Sequence, residues 1–361
     1  MRVLIAPAEF SGTLTAVEAA RAIADGWSRR APADDLDLVP MGDGGPGLVD
    51  LLHATLGGEL VAVTVRGPSG GPVPGAVLRV GSTAWVESAQ ACGRALLGEE
   101  GAESATSWGV GELVGHAVDA GATRVVVGLR GSGANDGGAG LLGALGATAD
   151  RPLDEGVVAL DGLTRLDLEP PRRRLAGITL VGAGELTSTL TGLFGTTKAA
   201  GVDRGIPEGR LPYVDAVLEQ LAAAADRRTA AERGAGAGGG LGFALRLLGA
   251  ELRPGLELVA EAVDLPARAR AAELVVTGVG SFDFSSGSGS VPYGVATLAA
   301  VAIRPCVAVA GRVLVGSREM RALGVESAYA VDELVGADRA SADPAGSLAE
   351  LAERVARTWS R

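Results

Sequence analysis

The chain has 361 residues, 56 of them glycine, with 47% hydrophobic and 3% aromatic residues and a formal net charge of −11. Glycine stands at roughly twice its usual share, but it follows no triplet period and is interleaved with Val, Leu and Ala, which excludes collagen and low-complexity disorder. The acidic balance disfavours a nucleic-acid partner. Two cysteines (Cys92, Cys306) and two histidines (His53, His116) exclude a disulfide framework and make His-based triads or His-rich metal centres a poor expectation.

The elements follow in chain order. Residues 3–6 form a short apolar run stopped by Pro7, as suits a buried parallel strand. Residues 13–29 carry Leu14, Val17, Ala20, Ala24 and Trp27 at helical spacing, with Thr13 or Thr15 near the N-cap. Residues 36–41 read as a second strand, Asp43-Gly44-Gly45 as a turn and 46–56 as a second helix, the opening of a doubly wound sheet. The rhythm then changes. Residues 60–66 and 73–86 alternate like hairpin strands, 109–120 look helical and 124–129 make a strong buried strand. A further strand is expected at 178–181, and 230–246 run from a glycine-rich loop into a helix. The βαβ rhythm returns late, with strands at 274–277, 306–310 and 328–331 and helices at 291–302, 318–323 and 348–359. These readings predict an α/β fold: a flavodoxin-like, doubly wound, five-stranded sheet of residues 1–59 and 266–361, interrupted by a second α/β domain at 60–265. No apolar run reaches the length of a membrane span and the N-terminal apolar stretch is too short for a signal peptide, so a cytoplasmic protein is expected.

The sharpest chemical signal is Gly131-Ser132-Gly133-Ala134-Asn135-Asp136-Gly137-Gly138-Ala139-Gly140, which follows a buried strand and precedes a helix. Small residues let backbone N–H groups approach an anion, and the following helix N-terminus adds a favourable dipole. Gly131, Ser132, Asn135, Gly137 and Gly138 are therefore candidate phosphate ligands. Asp136 is a candidate magnesium ligand, because a carboxylate beside phosphates can hold that ion. The bland alternative is a tight turn that needs glycine for its positive φ. Asp43, Gly44 and Gly45 sit at the carboxyl end of a strand, where open α/β sheets bind ligands, although Asp-Gly alone also makes an ordinary turn. Asp283 follows another strand end, but the Ser/Gly run 285–290 beside it could equally be a linker. Residues 236–242 could bind phosphate and more simply cap a helix. Glu87 and Glu112 lie near Ser and Gly, and solvation is the commoner fate of such glutamates. His53 and His116 read as ordinary helix residues.

These segments resemble the type I glycerate kinases over nearly the whole chain. The family's D-S-F-K-G-(S/T)-(L/M) stands here as Ala8-Glu9-Phe10-Ser11-Gly12-Thr13-Leu14, and its P-M-A-D-G-G-E-G as Pro40-Met41-Gly42-Asp43-Gly44-Gly45-Pro46-Gly47. Its Y-G-T-G-E-L is Trp108-Gly109-Val110-Gly111-Glu112-Leu113. Its G-G-S-A-T-N-D-G-G-A-G matches the loop from Arg130 to Gly140, and its G-A-A-G-G-L-G matches Gly236-Ala237-Gly238-Gly239-Gly240-Leu241-Gly242. The resemblance implies ATP-dependent, magnesium-assisted phosphorylation of D-glycerate or a related small hydroxy acid. Asp136, Asp43 and Asp283 would take the catalytic roles, the first two also as metal ligands and Asp283 as the candidate general base. Gly44, Gly45, Glu87, Glu185 and Arg204 are the substrate-side candidates. The implied partners are a hydroxy acid and a nucleotide, with a homodimer left open.

The departures carry an opposite expectation. The family lysines stand as Ser11 and Ser290, and its Glu and Arg near Asp283 stand as Val279 and Ser281. The whole chain holds one lysine, Lys198. Phosphoryl transfer rests on positioning and on charge neutralisation, so the alternative is a catalytically impaired paralogue that binds a small anion or nucleotide. Arg130 is a cation gained beside the glycine loop, placed either to replace a lost one or to block the site.

Overall fold

The computed structural model describes residues 1–10, 12–97, 101–283 and 289–360. Ser11 and residues 285–288 of the Ser/Gly run 285–290, for which a linker was one reading, lie outside the described residues. The chain divides into two compact units. One comprises Met1–Asp43, Asp50–Gly57 and Leu256–Arg361, and the other Gly44–Val49 and Gly58–Gly255.

The first unit is built on a parallel sheet in the order Asp35–Leu38, Arg2–Pro7, Leu274–Phe282, Cys306–Val313 and Ser327–Ala330. Numbered along the chain this is 2-1-3-4-5, the flavodoxin-like order. Within Arg2–Pro7 the residues Val3, Leu4 and Ile5 form an unbroken apolar run and are fully buried, as expected where helices cover both faces of a doubly wound sheet. The second strand stops earlier than the expected run 36–41. Pro40 has no N–H for the ladder, although the N–H groups of Val39 and Met41 still donate to Ile5 O and Pro7 O. Helix Ala16–Arg30 starts with a capping box: Thr15 Oγ1 accepts from Glu18 N at 3.2 Å while Thr15 N donates to Glu18 Oε2 at 2.8 Å. It packs tightly on the closing helix Pro344–Trp359 because residue 26 is glycine. A Cβ there would come within 1.9 Å of Ala349 O.

The second unit holds a six-stranded sheet. Glu251–Pro254, Thr179–Gly184, Arg124–Gly128 and Thr83–Glu87 run parallel, and Pro72–Val80 and Glu59–Arg66 add an antiparallel hairpin. The alternation read at 60–66 and 73–86 is this hairpin with the following strand. The stretch 230–246, expected to run from a glycine-rich loop into a helix, does so into helix Ala237–Leu247; a short helix Arg227–Ala230 precedes the loop, and Gly238, Gly239 and Gly240 all have left-handed φ. Their cause lies in the glycine loop of residues 131–140. A Cβ on Gly239 would come within 1.8 Å of Ala134 O, and one on Gly240 within 2.4 Å of Gly137 Cα. The two glycine-rich segments pack backbone against backbone, and Gly137 N donates to Gly239 O at 3.0 Å. Among the described residues no helix is long and apolar enough to cross a membrane.

Candidate functional site

The second unit has a cavity of about 310 Å³ at the carboxyl ends of its strands Arg124–Gly128 and Thr179–Gly184, the edge at which open α/β sheets bind ligands. The first strand runs out into Arg130, Gly131 and Ser132. The second runs into Glu185, Thr187 and Ser188. Gly236 and Gly238 form another wall, and Thr196 and Arg204 close the site.

Arg204 dominates its electrostatics. Its Nη1 donates to Asn135 Oδ1 at 3.1 Å and to both Thr196 O and Thr196 Oγ1 at 3.2 Å, and its Nε donates to Ser132 O at 3.4 Å. All of these acceptors are neutral. Among the described residues no carboxylate lies within ion-pair distance of the guanidinium, and Nη2 has no partner. Burial pushes the pKa of the guanidinium down to about 10; the negative charge of Asp203 opposes the fall and the positive charge of Arg94 adds to it. A desolvated cation on a cavity wall with no carboxylate at ion-pair distance can accept an anion there. Asn135 is fully buried and is itself fixed, since its Nδ2 donates to Thr197 Oγ1 at 2.9 Å.

Asp136 has a different situation from the one expected of a magnesium ligand. It is 1% exposed and absent from the cavity wall. Its Oδ2 accepts from Ser107 N and Ser107 Oγ, both at 2.8 Å, and from Gly140 N at 3.1 Å, while Oδ1 accepts from Gly138 N at 2.9 Å. Burial raises its pKa above the ordinary aspartate value, against the pull of these four donors. The N-terminus of helix Ala139–Ala144, expected to face a phosphate, thus already holds an anion supplied by the chain itself. Among the described residues no three His, Cys, Asp or Glu side chains gather into a metal cluster.

The other candidates divide clearly. Arg130, Gly131, Ser132, Glu185 and Arg204 share the cavity. Gly137 and Gly138 serve packing, since added Cβ atoms would come within 2.4 Å of the side chains of Leu221 and Ala244. Gly44 is also a packing glycine: its O accepts from Arg130 N at 3.1 Å and a Cβ would meet Ala183 O at 2.4 Å. Gly45 accepts from Leu48 N, and Glu87 is buried at the end of its strand; neither lines the cavity. Glu112 is structural, accepting from Arg66 N at 2.6 Å and Trp108 Nε1 at 3.0 Å. Asp43 and Asp283 belong to the first unit. Sequence reasoning missed Thr196 and Ser188 and read 236–242 as a helix cap, although Gly236 and Gly238 line the cavity. The glycine content of that segment was the available signal, and it did not distinguish the two uses.

Residues 3–360 match the model of the glycerate kinase family. A glycerate kinase of Bacillus subtilis is 34% identical, covering 92% of this chain and 90% of its own. A glycerate 2-kinase of Escherichia coli is 33% identical, covering 93% and 92%. A crystal structure from Salmonella typhimurium LT2 that carries a glycerate kinase 2 assignment superposes with a TM-score of 0.85 at 32% identity, over 99% of this chain and 98% of that one.

Proposed function

This chain belongs to the glycerate kinase family, and we propose that it phosphorylates D-glycerate, or a small hydroxy acid like it, with magnesium-ATP as donor. The observation that carries the substrate side is Arg204, a desolvated guanidinium on a cavity wall whose acceptors are all neutral and whose Nη2 is unused. A guanidinium presents paired donors that match a carboxylate, and a cavity of about 310 Å³ suits a three-carbon acid better than a whole nucleotide.

In this reading Arg204 takes the carboxylate, and Ser132 and Thr196, which both accept from it, line the same wall. The glycines at 131, 236 and 238 leave backbone open where a Cβ would crowd it; at Gly236 one would lie 2.2 Å from Thr189 O. Arg130, at the exposed rim, replaces a lost family cation and addresses the phosphate of the donor. Glu185 is the carboxylate on this wall, so a magnesium ion shared with the phosphates would be held there, in keeping with that ion's use of one or two carboxylates. Magnesium-ATP, when bound, supplies the transferable phosphoryl group and neutralises part of its charge. Asp136 fixes the glycine loop from behind and acts as a positioning residue.

The test is ADP formation with D-glycerate and a panel of small hydroxy acids in the presence of ATP and magnesium. Turnover that depends on the acid, with a KM raised roughly 10- to 100-fold in Arg204→Gln as one charge-assisted contact is lost, supports the reading. No ADP release with any hydroxy acid overturns it.

A further inference from the structure

Arg204 is held by a pair of groups that do not themselves reach the cavity of the second unit. Asn135 and Thr197 are both fully buried, and the cavity wall includes Thr196 and Arg204 but neither of these two. We propose that Thr197 and Asn135 are positioning residues for the phosphorylation reaction: a buried relay of hydroxyl and amide that aims the Arg204 guanidinium at the carboxylate of the acid. The inference rests on the kinase reading for the identity of that acid and on the hydrogen bonds themselves for the relay.

The chemistry of the three groups leaves one arrangement. A guanidinium has donors only, so the end of the Asn135 amide that faces it is Oδ1, which accepts from Arg204 Nη1 at 3.1 Å. The NH2 end is then turned into the protein and needs an acceptor there. Thr197 Oγ1 is that acceptor, at 2.9 Å. The relay also ties together two distant pieces of chain. Thr196 and Thr197 open the short helix Thr196–Ala200, and Arg204 follows it, its N–H donating to Ala200 O and Gly201 O, both at 3.1 Å. Thr196 holds the guanidinium from within this turn, through its O and Oγ1. Asn135 Oδ1 and Ser132 O hold it against the glycine loop, which lies more than 60 residues earlier in the chain. An arginine side chain has several free rotors, and ordering it in advance spares that entropy when the acid binds. With Nη1 and Nε engaged, Nη2 is the donor that remains for a ligand, since it has no partner among the described residues.

The experiment measures KM and kcat for D-glycerate and ATP, together with thermal midpoints, in the purified full-length protein and its variants. Valine has the shape of threonine without the hydroxyl. Thr197→Val should therefore raise the KM for D-glycerate roughly 5- to 30-fold, as a buried amide loses its acceptor, with kcat and the ATP KM little changed. Thr197→Ser, which keeps the hydroxyl, should bring that KM back towards the parent value. Asn135→Asp keeps both contacts, one carboxylate oxygen accepting from Arg204 and the other from the Thr197 hydroxyl, and carries the test if Thr197→Val does not fold. It pairs Arg204 with a carboxylate of the chain itself, so the D-glycerate KM should rise by about tenfold or more. Thermal midpoints read the relay without any ligand. The drop in the double variant of Thr197→Val and Arg204→Gln should fall short of the two single drops added together, because the second substitution removes a partner already lost. A lowered midpoint in Thr197→Val at unchanged D-glycerate KM marks a merely structural hydroxyl and overturns the proposal. So do a serine variant as weak as the valine one, an unchanged KM in Asn135→Asp, and midpoint drops that simply add. A shortfall in the double variant of a protein that phosphorylates no hydroxy acid supports the relay and overturns the kinase reading alone.

Discussion

Removing the carboxylate of Asp136 should unfold before it inactivates. Four donors converge on it: two N–H groups at the start of helix Ala139–Ala144, and the N–H and hydroxyl of Ser107. In Asp136→Ala all four lose their acceptor in a site that water does not reach. Each buried donor left unsatisfied costs about 1–3 kcal/mol, but the deleted carboxylate also takes its own desolvation with it. The net loss should therefore resemble that of a buried ionic partner removed, about 3–5 kcal/mol. In Asp136→Asn the amide oxygen can keep the three donors of Oδ2 while its NH2 group confronts Gly138 N–H, so about 1–3 kcal/mol is expected for one orphaned donor. For a unit of this size each kcal/mol moves the thermal midpoint by about 2–4 °C, which places the alanine variant about 6–20 °C below the parent and the asparagine variant between them. Differential scanning fluorimetry with and without magnesium reads both. If both variants melt with the parent and lose only magnesium-dependent turnover, Asp136 is a metal ligand and the reasoning fails.

Arg204→Lys should weaken the hydroxy acid at least tenfold, because a desolvated ammonium loses its proton far more readily and cannot present the forked donors; full affinity in this variant would contradict the site. The pH dependence follows from the same residue. A base lowered to about 10 carries its charge at all lower pH values and loses it as pH rises through that value, so D-glycerate affinity, measured by calorimetry, should be level through pH 8–9 and fall near 10; a fall that begins near 7 would implicate another group. Gly239→Ala should cost about 2–5 kcal/mol in urea unfolding, combining a left-handed φ with a backbone collision at Ala134 O, and an unchanged midpoint would refute the packing of the two loops. Cys92 and Cys306 are both buried, and burial pushes each thiol up to about 12. Iodoacetamide at pH 8 should label neither until the chain unfolds, and rapid labelling of the native protein would show that these sites open.

Much of the fold was legible because parallel strands announce themselves as unbroken apolar runs, as Val3, Leu4 and Ile5 do, and because the spacing from Leu14 to Trp27 is helical. The flavodoxin-like order then follows from alternation. The direction of a side chain inside a glycine loop was not legible. Asp136 reads the same whether it faces a ligand or the first turn of its own helix, and the donor that decides the matter, Ser107, lies 29 residues earlier. Gly238 to Gly240 read as a helix cap because the reason for their left-handed backbone is Ala134 and Gly137, a whole subdomain away in sequence. Arg204 entered through resemblance alone, since nothing local marks it; its partners Asn135 and Ser132 are 69 and 72 residues distant.

The near-absence of lysine also takes on another meaning in the structure. As a composition it suggested lost phosphate contacts and hence a disabled enzyme. The cation at the cavity of the second unit is held by a carbonyl, an amide and a hydroxyl, without a compensating carboxylate. In such a place a lysine would be driven towards its neutral form, since desolvation can lower an ammonium by several pKa units from a starting value near 10.4. An arginine that falls only to about 10 remains a cation at neutral pH. Arginine is thus the residue that burial permits, and Arg130 at the rim of the same cavity extends that choice. The chain's shortage of lysine therefore argues against the contacts of the family's lysines and not against charge neutralisation as such, which is the quantity that phosphoryl transfer requires.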